Sequence, residues 1–356
     1  MIAGSNNFEA GRRQARALDL VHGRVELNHG AGGRAMADLI ELLFLSAFDN
    51  PLLNRGNDQA MFTVEAGRMV MTTDSFVVSP LFFPGGNIGS LAVHGTVNDL
   101  AMGGAIPQYL TAGFILEEGF LLRELAAIVD AMAAAARDAG VQIVTGDTKV
   151  VERGKGDGIF INTAGIGRVL DGVNVSAELA RPGDVVLVSG TIGDHGVAIM
   201  SQRQGLQFET ALQSDSAALN TLVLRMAEAA GGSLRVLRDP TRGGVAATLN
   251  EIAAQSGVGI RLQESCLPVR DEVQGACELL GLDPLNVANE GKLIAIVDAA
   301  HAQTLLQAMR SDPQGVDAVV IGEVIDDPMR LVRMVTDIGG ERVIDWLHGE
   351  QLPRIC

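Results

Sequence analysis

The chain reads as an α+β protein of two domains, on three observations. Its 356 residues amount to two domains of roughly 150 residues each. Apolar runs of strand length mix with helical periodicities without the strict alternation of a doubly wound sheet. Arg181-Pro-Gly-Asp184 is turn chemistry in mid-chain and places a boundary just before itself. The divisions expected are a polar leader 1–21, an N-terminal domain 22–178, a C-terminal domain 179–346 and a mobile tail 347–356.

The elements follow in order. Arg24–Leu27 is a short strand candidate, followed by the glycine loop His29-Gly-Ala-Gly-Gly33. Ala35, Met36, Leu39, Ile40, Leu43 and Phe44 then repeat at helical spacing. Met69–Thr73 predicts a strand ending in Asp74-Ser75, and Gly89–Met102 a helix stopped by Gly103-Gly104. Leu110–Leu116 predicts a strand, and the Ala-rich Leu121–Ala139 a helix closed by Gly140. Val141–Thr145 is a strand ending at Gly146-Asp147, and Ile159–Val169 another. Beyond the boundary, strands are expected at Val185–Ser189, Leu234–Leu237, Val258–Leu262 and Lys292–Val297. Helices are expected near Ser216–Ala230, Val245–Gln255 and His301–Met309. Leu331–Thr336 and Arg342–Trp346 form a hairpin turning at Asp337-Ile-Gly-Gly340.

Composition removes several classes of function. The net charge of −16 lacks the basic stripe that displaces counterions from nucleic acid. No run approaches the roughly 18 apolar residues of a membrane span, and the arginines of the leader precede no apolar signal segment. Three cysteines without CxxC spacing fit neither a disulfide framework nor a zinc site, so a cytoplasmic protein is expected. There is no GxxxxGK[ST] phosphate loop. Gly30-Ala-Gly-Gly-Arg-Ala35 matches the dinucleotide fingerprint only formally, because Asp49 follows a helix rather than a second strand.

What remains points to phosphate chemistry. Gly30, Gly32 and Gly33 form either a flexible loop over phosphate or a simple turn. Asp58, Asp74, Asp99 and Asp147 are either separate caps or a carboxylate set for Mg²⁺ and ATP. Only Lys149, Lys155 and Lys292 are lysines in a chain that otherwise uses arginine, so Lys149, two residues after Asp147, hints at phosphate or charge stabilisation. Glu290 is either a base or a solvated loop residue. Asp239-Pro-Thr-Arg-Gly-Gly244 is either an anion-binding turn or an ordinary helix start. Cys266 and Cys277 lie in apolar company, whereas the terminal Cys356 sits on an arm with about 35 Å of reach from Asp345.

Taken together, His29–Gly33, Thr72-Thr-Asp-Ser75, Pro80–Asn87, Asn98-Asp99, Gly113–Glu118, Thr145–Lys149, Ser189–His195, Asp239–Gly244, Asn289–Lys292 and Pro353-Arg-Ile-Cys356 resemble the HypE family. These are hydrogenase-maturation proteins of the AIR-synthetase (PurM)-related superfamily. The likeness runs in order from about residue 22 to the C-terminus, and the leader is its main departure. It implies a PurM-like fold with a dimerising, ATP-binding N-terminal domain. It also implies that the carbamoyltransferase HypF loads Cys356, that ATP drives dehydration of the thiocarboxamide to a thiocyanate, and that the cyano group passes to iron on the HypC–HypD scaffold. By the same resemblance, Gly30, Gly32, Gly33, Asp58, Asp74, Asn98, Asp99, Asp147, Thr148 and Asp239 would bind ATP. The acids Asp58, Asp74, Asp99 and Asp147 would hold Mg²⁺, with Cys356, Lys149 and Glu290 catalytic. The alternatives are another ATP-using relative, of the selenophosphate synthetase or thiamine-monophosphate kinase type, or a non-catalytic carrier. The first of these usually places Cys or selenocysteine in the early glycine loop, where this chain has none.

Overall fold

Side-chain alternation shapes the N-terminal half of the structure. The computed structural model describes residues 18–57, 59–64, 66–205, 212–346 and 353–356. Its first strands are β1 (Met69–Phe76), the two-residue β2 (Phe82–Phe83) and β3 (Gly86–Asn87), β4 (Ala105–Glu117), β5 (Gln142–Val151) and β6 (Ile159–Val169). Four of them form a sheet in the order β1-β6-β4-β5, and β2 pairs with β3 apart from it. β4 and β5 are parallel, which requires a crossover, and the helix Leu122–Ala139 supplies it. Leu110, Ala112, Phe114 and Leu116 of β4 point into a core shared with Leu91, Val97, Ile128 and Met132 of the helices Ile88–Met102 and Leu122–Ala139. The opposite face is bare: Met69, Met71, Ile106 and Ile115 are all exposed, Met71 to 76%.

The C-terminal half is layered on both sides. Strands β7 (Val185–Val188), β8 (Leu234–Arg238), β9 (Gly259–Gln263), β10 (Ile294–Val297), β11 (Val319–Ile325), β12 (Val332–Val335) and β13 (Glu341–Ile344) form a sheet in the order β13-β12-β9-β11-β7-β10-β8. On one face Val186, Val188, Ile294 and Ile296 pack against Val245, Leu249 and Ile252 of the helix Gly244–Ser256. On the other, Leu187, Ala295 and Val297 meet Leu222 and Met226 of Asn220–Ala230 and Leu305 and Met309 of Ala302–Arg310. β7 and β10 are therefore continuous apolar runs, as strands covered on both faces must be.

Three expectations are corrected. β1 and β5 do not stop before their acids: Asp74 pairs with Thr163 and Asp147 with Gly113, so both lie inside strands. Of Arg24–Leu27 only Arg24 bridges, to Leu121, and Leu27–Gly30 winds into a 3₁₀ turn. The helix expected from Ser216 begins at Asn220, because the preceding residues are tied elsewhere, Asp215 to the backbone of Glu290 and the Leu219 N–H to the side-chain oxygen of Asn98 in the helix Ile88–Met102. The helix Asp271–Leu280 and strand β11 had no sequence reading. Most of the leader, with Asp58 and residues 347–352 of the tail, lies outside the described residues.

Candidate active site

β1 and the helix behind it bring two acids together. Asp74 points to the covered side of the sheet, and Asp99, in the last turn of Ile88–Met102, accepts the Thr72 hydroxyl at 2.7 Å. Asp239 follows the end of β8 and joins them from the second domain. Burial is the largest influence on each carboxyl, and the charges add to it. It raises Asp74 and Asp99 above the ordinary carboxylate range, with Asp74 raising Asp99 further. It pushes Asp239 up to about 7, assisted by Asp99 and Asp74. Arg242, three residues after Asp239, is the counter-charge that lowers Asp74, whereas Asp99 is lowered by the Thr72 hydroxyl, then by Arg238, and last by Arg242.

Glu290 sits at this junction and is 3% exposed. Burial, then Asp215, Asp239, Asp74 and Asp99, raise its carboxyl well above the ordinary range. Its Oε1 is buried with no hydrogen-bond partner among the described residues. An acceptor left bare in a dry site is costly unless something else completes it. The loop that carries it is firmly held. Asp215 accepts the N–H groups of Glu290 and Gly291 at 3.0 and 3.3 Å and pairs with the nearly buried Lys292 at 3.3 Å. Asn98 donates to the carbonyls of Ala217 and Glu290 and accepts the N–H of Leu219. Both Asn98 amide hydrogens are thus engaged within the protein, one on the Ala217 carbonyl and one holding the Glu290 backbone.

The chain terminus enters the same crevice. Pro353–Cys356 runs beside the continuation of β1, where Val77 N–H donates to the Cys356 carbonyl and Ser79 N–H to the Arg354 carbonyl, both at 3.2 Å. Ile355 is buried in the N-terminal core, and its carbonyl accepts from His195 Nε2 at 2.8 Å. Burial raises the Cys356 thiol far above its ordinary value. Glu290 is the charge acting most strongly on it, with Arg242 opposing and Asp74 and Asp239 adding. A buried thiol held protonated is a poor nucleophile.

A second group lies elsewhere. Asp147, Gly113, Asn162 and Ser75 occupy one row across the four strands, on the bare face, so Asp147 points away from Asp74 and Asp99. Lys149 shares that face and binds Asp147 at 2.8 Å, which lowers the Asp147 carboxyl. Both line a cavity of about 400 Å³ with Ser75 and Asn162. Thr148 turns inward to a cavity of about 180 Å³ with Met36, Phe44 and Phe114. Gly30 lies against β5, where a Cβ would fall 2.7 Å from the Val150 nitrogen. Gly32 takes a left-handed φ of 76° with open space around it, and Gly33 is open too. Among the described residues no group of three His, Cys, Asp or Glu lies close enough to hold a metal ion. Asp74, Asp99 and Asp147 therefore form no single ligand set within one chain, and Asp58 is outside the described residues. Asp74 and Asp99, whose negative charges reinforce one another, have the donor chemistry for a hard cation.

The sequence does not single out Arg242 or Asp215, which act on this crevice by charge and by hydrogen bonds, and it offers His195 only within the stretch Ser189–His195, whereas its ring holds the Ile355 carbonyl. Arg242 stood inside a quoted motif, and only its charge on Asp74, Asp99 and Cys356 in space distinguishes it.

Comparison with known proteins supplies the rest. The profile of the AIR synthase related protein N-terminal domain matches residues 56–169, and that of its C-terminal domain residues 181–333. The chain is 62% identical to carbamoyl dehydratase HypE of Rhizobium leguminosarum bv. viciae, over 96% of this chain and 97% of that protein. It is 50% identical to carbamoyl dehydratase HypE of Escherichia coli, over 93% of this chain and 99% of that protein. Among solved structures, hydrogenase maturation protein HypE in complex with ATP superposes with a TM-score of 0.89 at 52% identity, covering 93% of this chain and 99% of that one. A HypE–HypF complex matches at 0.77 and 53% identity, over 87% of this chain and 99% of that one. Thiamine-monophosphate kinase of Stenotrophomonas maltophilia, at 22% identity and a TM-score of 0.63 over 89% of this chain and 98% of that one, shares the fold.

Proposed function

This chain belongs to the HypE family of carbamoyl dehydratases, and from that membership we propose that it matures NiFe hydrogenase by dehydrating a carbamoyl group carried on Cys356 to a thiocyanate. The observation that carries the reading is the pairing, in one dry crevice, of the terminal thiol with a carboxylate oxygen, Glu290 Oε1, that lacks any partner among the described residues. An S-carbamoyl group extends the cysteine by a planar amide whose N–H would supply that missing donor.

Dehydration turns R–S–C(=O)–NH₂ into R–S–C≡N. The amide oxygen takes the γ-phosphoryl of ATP, ADP departs, and the oxygen then leaves as phosphate in place of hydroxide. The amide nitrogen gives up two protons. Glu290 is the acceptor proposed for one of them, and the other leaves with the departing phosphate: the raised proton affinity of Glu290 makes it a strong base once ionised, and Asn98 and Asp215 fix its position. Arg242 holds positive charge beside the sulfur and the acids as phosphate charge develops. Burial of Ile355, with Cys356 packed beside it against the N-terminal core, excludes water that would hydrolyse the activated species.

Gly30, Gly32 and Gly33, Thr148 and Lys149 are proposed for nucleotide contacts, and Asp239 for the phosphate end. Mg²⁺ arriving with ATP would offset triphosphate charge, with Asp74 and Asp99 its proposed ligands. Lys149 would bear on the nucleotide from the bare face, at the sheet edge with Asp147. The exposed Met69, Met71, Ile106 and Ile115 on the bare face of the N-terminal sheet support a homodimer formed there. HypF, seen with a relative, is the proposed carbamoyl donor and the HypC–HypD scaffold the acceptor, all in the cytoplasm. Among the described residues no helix is long and apolar enough to cross a membrane. The domain boundary is proposed at 178/179, between the two sheets.

Mass spectrometry of the C-terminal peptide tests this directly. After incubation with the carbamoyltransferase, carbamoyl phosphate and Mg–ATP, Cys356 should gain a carbamoyl group and then lose one water, with ADP formed. Carbamoylation that ATP never follows with water loss would leave a carrier only.

A further inference from the structure

We propose that Arg203 is a latch that holds the chain terminus inward, and that its grip sets the balance between loading Cys356 and processing it. The proposal rests on the reading that Cys356 carries the carbamoyl group. Arg203, in the last turn of the helix Asp194–Gln204, gives all three guanidinium nitrogens to carbonyls: Nε donates to Ser79, one terminal nitrogen to Pro353 and the other to Arg354, the nitrogen that serves Pro353 also touching the Met200 sulfur at 3.7 Å. The first belongs to the segment beside which the tail lies, and the other two belong to the tail itself. A rigid fork of donors suits this arrangement, and no lysine reproduces it.

Neighbouring contacts depend on the same docking. Arg354 pairs with Asp157 and donates through Nε to the Val77 carbonyl at 3.0 Å. Its backbone takes a left-handed φ of 53°, which a non-glycine residue keeps only where surrounding contacts hold it. Ile355 would expose its buried side chain if the tail came out.

Docked inward, the thiol is shielded and protonated, so it cannot meet a carbamoyl donor. Released, it is reactive but far from Glu290. A weaker latch must therefore speed the first half-reaction and slow the second. Arg203 does not touch the sulfur; it is a positioning residue.

The test compares Arg203→Ala, Arg203→Lys and Asp157→Asn with the unaltered full-length protein. Iodoacetamide alkylation of Cys356 is followed by mass spectrometry, with Cys266 and Cys277 as internal controls for general loosening. Loss of several charge-assisted bonds should speed alkylation of Cys356 by about tenfold or more in Arg203→Ala, with Arg203→Lys intermediate and Asp157→Asn smaller. Carbamoylation should be no slower, while single-turnover dehydration of pre-carbamoylated protein falls. Unchanged alkylation of Cys356 in folded Arg203→Ala overturns the latch, as does a parallel loss of both half-reactions. Should Arg203→Ala not fold, unchanged alkylation in both other variants overturns it equally. If the unaltered carbamoylated protein loses no water with ATP, the dehydratase reading fails, and the alkylation rates still decide the latch.

Discussion

Replacing Asp239 by asparagine should stabilise the fold, by an amount that grows with pH. The carboxyl goes from an ordinary 3.8 to about 7 on folding, chiefly through burial and then through Asp99 and Asp74. Between those values the folded chain holds a proton that the unfolded chain has lost, so stability falls as pH rises through that window and is level above it. At pH 8.5 the cost of the ionised side chain reaches at most about 4 kcal/mol, less whatever solvent screening removes. At pH 5 only about 1–2 kcal/mol of it has accrued, and near pH 4 almost none. The substituted amide keeps the shape of the carboxyl and lacks its charge. Urea unfolding at pH 4, 5, 7 and 8.5 reads the difference as a shift in midpoint at constant slope. A gain independent of pH, or a loss of stability at pH 8.5, would refute the reasoning. The same variant should turn over ATP poorly, since a site that gathers like charge sacrifices stability for function.

Three further outcomes follow, two from Glu290 and one from the bare sheet face. Glu290→Gln should leave carbamoylation of Cys356 intact and cut ATP-dependent water loss by about 100-fold or more, the usual worth of a positioned base. In the unaltered protein single-turnover dehydration should rise with pH, because the raised carboxyl is neutral at lower pH and ionises as pH increases; a flat profile, or full activity in the variant, removes Glu290 from the base role. Met71→Asp on the bare sheet face should dissociate a homodimer to monomer by analytical ultracentrifugation without loss of the fold, and an unchanged mass would put the interface elsewhere.

The elements most legible in the sequence were those whose burial is simple. Leu122–Ala139 shows its apolar stripe and its Gly140 stop, and the chain folds there within a residue of expectation. Ile159–Val169 was read with its observed bounds because its alternation survives, one face covered and one bare. β11 was missed because it is a partly buried strand with a glycine at Gly322, where Arg261 and Leu262 approach too closely for a side chain. The sequence places both acids at strand ends because each follows an apolar run, Val-Met-Thr-Thr before Asp74 and Ile-Val-Thr-Gly before Asp147. Pairing with β6 and β4 decides instead that both strands continue: Asp147 faces solvent beside Lys149, and Asp74, turned to the covered side, is kept in the strand by its backbone pairing although burial raises its carboxyl.

The sequence by itself determined the two-domain α+β fold, the family and the motifs from which the site is built, because periodicity, turn chemistry and motif order are local properties of the chain. Only the tertiary structure decided which motif residues meet. A period of two sends Asp74 and Asp147 to opposite sides of one sheet, though both were read as the same kind of acid. Contacts across more than a hundred residues bring Asp239, Arg242 and Glu290 beside Asp74 and Asp99 and draw Cys356 among them. Those separations carry no sequence signal, because burial and charge act through distance in space rather than along the chain.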